Sequence, residues 1–96
     1  MEDEPFIQAN LIYILKSSYS MPVSAYVFIR TSPGKARDVA KAVSGIEGVK
    51  SAHAVTGRFD VIAFVEAPDM AALGDLVLSK IHGVEGVSSS ETSIAV

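Results

Sequence analysis

Two short runs, "AYVFI" (residues 25–29) and "VIAFV" (61–65), are apolar at nearly every position, while their flanks follow other periods. The first sits in "VSAYVFIRT" (23–31), rich in β-branched and aromatic residues, and predicts a strand. The segment that follows, "SPGKARDVAKAVSG" (32–45), predicts a helix. Ser32 is placed to cap it, Pro33 to occupy its first turn and Gly45 to end it. Ala36, Val39, Ala40 and Val43 recur at helical spacing and supply one apolar face. "GVKSAHAVT" (48–56) and "FDVIAFVEA" (59–67) predict two further strands joined by a short turn at Gly57-Arg58. "PDMAALGDLVLSKIHG" (68–83) predicts a second helix, entered through Pro68-Asp69 and closed by Gly83. Its face is made by Met70, Leu73, Leu76, Val77 and Ile81. "GVSSSETSIAV" (86–96) predicts the last strand.

The order strand-helix-strand occurs twice. "GIEGVKSA" (45–52) answers "GVEGVSSS" (83–90), and Pro33 answers Pro68 at the helix starts. Two such units in series give an α+β fold of the ferredoxin-like βαββαβ kind, with an antiparallel sheet in the order 4-1-3-2. Strand composition agrees: the two central strands would be the apolar ones, and the outer strands, "KSAHAVT" and "SSSETSIAV", are polar.

Both helices in this topology pack on one face of the sheet. Yet in the first strand Ala25, Val27 and Ile29 point one way and Tyr26 and Phe28 the other. In the third, Val61, Ala63 and Val65 oppose Ile62 and Phe64. Both faces ask for burial and the chain covers one. The second face is therefore expected to be covered by another copy, giving a homodimer joined through sheet faces.

Composition narrows the chemistry. The 96 residues allow one domain, 22–96, preceded by a leader, 1–21, read as a short helix or extension; Met21 is an alternative start. With no cysteine there is no disulfide, thiolate site or Cys nucleophile, and two histidines do not make a metal cluster, so neither metal nor cofactor is expected. The net charge is −3 with acids crowding the N-terminus, which argues against direct nucleic-acid binding. The apolar stretches are too short to span a bilayer, and the acidic start is unlike a secretory signal, so a cytoplasmic protein is expected.

Catalytic candidates are few. His53 reads as a solvated edge residue and His82 as a helix-closing one. Ser88, Ser89, Ser90 and Ser93 lie in a strand with no base paired to them, and Glu47 and Glu85 occupy equivalent loops in the two halves. "GRFD" (57–60) stands out, because Asp is poorly suited to strands. Asp60 either accepts backbone N–H groups near the bend or offers a carboxylate to a ligand amino group, with Gly57 allowing close approach to the backbone. A site at a turn tip in so small a domain would be shared between subunits.

At this motif the sequence resembles the effector-binding (RAM) domain of the Lrp/AsnC family, the leucine-responsive and AsnC-type transcription regulators. The opening "AYVFIRTSPGK", the block "GVKSAHAVTGRFDVIAFVEAPDMAAL" with its Gly-x-x-Asp turn, and the closing "IHGVEGVSSSETSIAV" carry the likeness over about four fifths of the chain. The resemblance implies a dimer packed sheet to sheet, rings that are commonly octamers, and small effectors, usually amino acids, bound between dimers. It implies effector contacts at Gly57, Arg58, Phe59 and Asp60, with Thr92 and Ser90 added from the last strand and Asp60 holding the effector's ammonium. Full-length members carry a helix-turn-helix domain, for which the leader is too short. The expectation is thus a stand-alone sensing module that does not bind operator DNA itself and is able to co-assemble with full-length relatives. The rival readings are a small dimeric ferredoxin-like enzyme of the monooxygenase kind, an ACT-type domain, and an effectorless structural partner of full-length regulators.

Overall fold

The computed structural model describes residues 22–96. Its elements run β1 (Val23–Thr31), α1 (Ala36–Ser44), β2 (Val49–Ala54), β3 (Val61–Ala67), α2 (Met70–Asp75) and β4 (Val87–Ile94). A π-helical stretch (Leu76–Ile81) carries α2 onward without a break. The leader predicted over 1–21, and the question of a start at Met21, lie outside the described residues.

The four strands form one antiparallel sheet in the order β2-β3-β1-β4, the ferredoxin-like arrangement. The apolar strands β1 and β3 are central and the polar strands are at the edges, as the composition requires. Alternation sorts their side chains by face. Ala25, Val27, Ile29, Val61, Ala63 and Val65 are buried beneath the helices. There they meet Val39, Ala40 and Val43 of α1, and Leu73, Leu76, Val77 and Ile81 of the second helix. Burying a Val or Ile side chain is worth about 1.5–3 kcal/mol. Seven of the largest such groups, from Val27 and Ile29 to Ile81, are fully buried, so this one layer carries most of the stability. The opposite face holds Tyr26 against Phe64, ring centroids 4.9 Å apart, with Phe28 opposite Ile62 in register.

The duplication is visible in the backbone. Gly48 and Gly86 precede β2 and β4 with φ of 97° and 101°. Each turn has the same bonds: Val49 N–H to the Ile46 carbonyl and Val87 N–H to that of Val84. Each glycine carbonyl then accepts from the other half, from Glu66 N–H and Ser32 N–H, both at 2.8 Å. Only glycine adopts this backbone freely, so the Gly-x-Glu-Gly match reflects a real geometric repeat.

Four expectations are corrected. Ser32 and Pro33 do not start α1. Ser32–Lys35 instead forms a turn closed by Lys35 N–H on the Ser32 carbonyl, with Gly34 at φ 80°. Pro followed by a left-handed Gly is the signature of a type II turn, and that backbone cannot be helical. The helix begins at Ala36, with Lys35 as a cap lacking a side-chain bond. Pro33 and Pro68 are accordingly not equivalent: Pro68 precedes a true cap, Asp69, whose carboxylate accepts the Ala72 N–H at 2.8 Å. Met70 does not join the core; it is 55% exposed in the first turn of α2, while the rest of the predicted face is buried. Finally, Phe59 and Asp60 precede β3 rather than extending it, and the turn is wider than Gly57-Arg58. The Val55 N–H closes it on the Asp60 carbonyl at 2.8 Å.

Candidate functional site

The turn between β2 and β3 is tied down at its end. Asp60 N–H donates to the Ile29 carbonyl at 2.9 Å, and its carboxylate accepts the Thr31 N–H at 2.8 Å. Asp60 is therefore, in the first instance, the turn residue accepting a backbone N–H, one of its two predicted roles. One carboxylate oxygen is used in this way, and among the described residues no second donor reaches the other.

Gly57 has φ 124°, a conformation that side-chain-bearing residues rarely adopt. Among the described residues, no atom beyond its chain neighbours lies within 4 Å of where its Cβ would be, so the glycine is required by backbone geometry rather than by crowding. Phe59 folds back onto the open face of the sheet and packs on Phe28, centroids 5.3 Å apart. The guanidinium groups of Arg30 and Arg58 lie 5.3 Å and 5.9 Å from the Phe59 ring centroid.

The two β4 candidates lie elsewhere. Ser90 and Thr92 are opposite Ile29 and Val27 across β1, and so share the helix-side face with those buried residues. Ser90 Oγ is 2.7 Å from His82 Nε2. This corrects the expectation that no base is paired to the serines: the end of the second helix brings an imidazole to one of them. Among the described residues no acid hydrogen-bonds that imidazole, so the third, orienting group of a hydrolytic triad is not part of the arrangement.

The six candidates thus divide. Arg58 and Phe59 belong to the open face, Ser90 and Thr92 to the helix side, and Gly57 and Asp60 to the sheet end. A hollow of about 590 Å³, lined by Ala36, Arg37, Ala54, Val55 and Thr56, runs up to the chain just before Gly57. A cleft of about 350 Å³ between Lys50, Glu66, Asp75 and Lys80 lies at the far end of β3 and touches none of the six. Sequence reasoning missed Thr31, the partner of Asp60, and Arg30, the second cation at Phe59. The signal for Arg30 was strand alternation, which continues from Tyr26 and Phe28 to residue 30; no local signal pointed to Thr31.

The Lrp/AsnC ligand binding domain family matches residues 24–96. The chain belongs to that family. Among curated proteins it is similar to an uncharacterized HTH-type transcriptional regulator of Pyrococcus furiosus. The two are 27% identical over 86% of this chain and 59% of that protein. This chain therefore spans a little over half the length of such relatives. A Thermus thermophilus protein of known structure is 31% identical, with a TM-score of 0.73 over 77% of this chain and 92% of its own. A Neisseria meningitidis transcriptional regulator, solved as a complex with L-methionine, shares the fold at TM-score 0.70. It is 24% identical, covering 84% of this chain and 53% of that one. Family membership makes residues 24–96 a regulatory ligand-binding module. Among the described residues no helix is long and apolar enough to cross a membrane.

Proposed function

We propose that residues 22–96 form an amino-acid-sensing, oligomeric regulatory module of the cytoplasm. Two copies cover each other's aromatic sheet faces, and such dimers build a ring, with an octamer as the expected size. The effector meets the chain at Gly57, Arg58, Phe59 and Asp60, with Ser90 and Thr92 contributing from β4. The observation that carries this reading is the turn itself: an open, left-handed Gly57 three residues before a carboxylate pinned to the end of β1, in a ligand-binding family. That the six residues divide between the two faces and the end of the sheet supports a site completed by a neighbouring subunit rather than one enclosed by a single chain. The exposed Tyr26 and the half-buried Phe28, Ile62 and Phe64 support the face-to-face dimer. With a net charge of −3 and scattered Lys and Arg, the module's part is sensing and assembly rather than operator contact, including assembly with full-length Lrp/AsnC regulators.

A second reading has its own observation. The Asp60 carboxylate and the Ser90 hydroxyl already have protein partners, Thr31 and His82. This favours a module that assembles with full-length regulators and needs no effector. Calorimetry and thermal shift against the twenty amino acids, with sedimentation velocity on the same samples, separate the two. Saturable binding of an amino acid that Asp60→Asn abolishes supports sensing. Assembly with no binding to any of the twenty sinks sensing and leaves the second reading.

A further inference from the structure

At the rim of the open sheet face two cations converge on one ring. Arg30 comes from the end of β1 and Arg58 from the turn, and both guanidinium groups lie within 6 Å of the Phe59 centroid. Each exposed cation–π contact returns only about 0.5–1 kcal/mol, against mutual repulsion of the two charges. Among the described residues the one ion pair is Lys50 with Glu66, at the far end of β3, so no described carboxylate pairs with either arginine. The carboxylates in the surroundings are Asp60, which is held by the Thr31 N–H, and Glu91, opposite Phe28 in register. The N–H groups of Gly57, Arg58 and Phe59 make no backbone hydrogen bond among the described residues and add further donors at the same place. In an acidic chain, this corner is a local concentration of anion-binding groups.

We infer that the effector of this turn is an α-amino dicarboxylate, of the aspartate and glutamate class. This rests on the reading of the turn as the effector site. Beside Phe59 stand two guanidinium groups, and the turn itself offers one carboxylate, Asp60, with Glu91 outside the turn on β4. An acidic amino acid presents the complement, two carboxylates and one ammonium. A planar guanidinium fork receives a carboxylate through paired hydrogen bonds, which an ammonium or amide side chain on the ligand does not supply. A neutral amino acid has one carboxylate and leaves one arginine unmatched. Arg30 and Arg58 take the two carboxylates beside Phe59, the turn N–H groups assist, and the free oxygen of Asp60 faces the ammonium.

The test is calorimetry on the full chain with L-aspartate, L-glutamate, L-asparagine, L-glutamine, L-leucine and L-methionine. Removal of a charge-assisted hydrogen bond costs enough that an acid should bind about tenfold tighter than its amide. Arg30→Gln and Arg58→Gln should each weaken binding of that acid by about tenfold and erase the preference, with melting temperature and sedimentation unchanged. Arg58→Lys should retain part of the affinity and lose most of the preference. A neutral amino acid binding as tightly as the acids overturns the inference and leaves amino-acid sensing standing. A preference for acids that survives both glutamine variants also overturns it. If none of the six binds and the other amino acids fail as well, the inference falls together with the reading it rests on.

Discussion

The carboxylate of Asp60 accepts the backbone N–H of Thr31 at 2.8 Å, joining the β2–β3 turn to the last residue of β1. The bond spans 29 positions in sequence and is partly buried. Removing the acceptor strands a partly buried N–H, so Asp60→Ala should destabilise the domain by about 1–2 kcal/mol in urea denaturation. Asp60→Asn keeps an acceptor oxygen and should recover most of that loss. The pair therefore separates two roles. If the carboxylate also holds an ammonium, the asparagine variant stays folded and still loses effector binding. Equal stability of the alanine variant and the parent would show that the Thr31 bond contributes nothing.

Phe64 and Tyr26 pack ring against ring, tilted by 47°, on the sheet face away from the helices. A glutamate at Phe64 leaves the helix-side core untouched but places a charge where a second copy would pack. If two copies pack there as proposed, Phe64→Glu should lower the sedimentation coefficient to that of a monomer, while far-UV circular dichroism stays native. An unchanged sedimentation coefficient would remove the sheet face as the dimer contact.

Gly86 and Gly57 both carry positive φ, but their surroundings differ. A Cβ at Gly86 would sit 2.9 Å from Val39 Cγ2 and 3.2 Å from Lys35 Cβ, whereas among the described residues one at Gly57 meets nothing within 4 Å. Backbone strain alone costs about 1–3 kcal/mol at either position. Gly86→Ala adds a clash with α1 and should be the more destabilising of the two in chemical denaturation. The reverse order would mean that Val39 and Lys35 yield freely.

Asp69 caps α2 through the Ala72 N–H. Asp69→Ala should cost about 1 kcal/mol, within the usual range for a lost cap. α1 has no side-chain cap at Lys35, so Lys35→Ala should leave stability within about 0.5 kcal/mol of the parent. Paired denaturation curves check both, and equal effects would show that the Asp69 bond is not what starts the second helix.

Much of the architecture could be read along the chain. Alternation in "AYVFI" and "VIAFV" assigned each side chain to a face, and the burial of Ala25, Val27, Ile29, Val61, Ala63 and Val65 follows it residue by residue. The repeat around Gly48 and Gly86 announced the duplication, and polar edge strands announced the sheet order. These are local signals, carried by neighbours in sequence through the twofold period of a strand and the 3.6-residue period of a helix. Where two local signals competed, the reading slipped. Ser32-Pro33 resembles a helix start, but Pro33-Gly34 makes a turn, and the positive φ of Gly34 decided it.

The candidate site was legible only in part, because its geometry depends on pairing between distant segments. The motif "GRFD" marked the place. That Asp60 would bond Thr31, that Arg30 and Arg58 would share the Phe59 ring, and that His82 would meet Ser90 follow from strand register and from where the second helix ends. The sequence by itself determined which residues of the central strands are buried and which sheet face is left apolar, since both rest on local periodicity. Tertiary structure alone decided which polar groups meet, because a hydrogen bond needs its partner within about 3 Å, and only the folded register brings segments 29 residues apart to that distance.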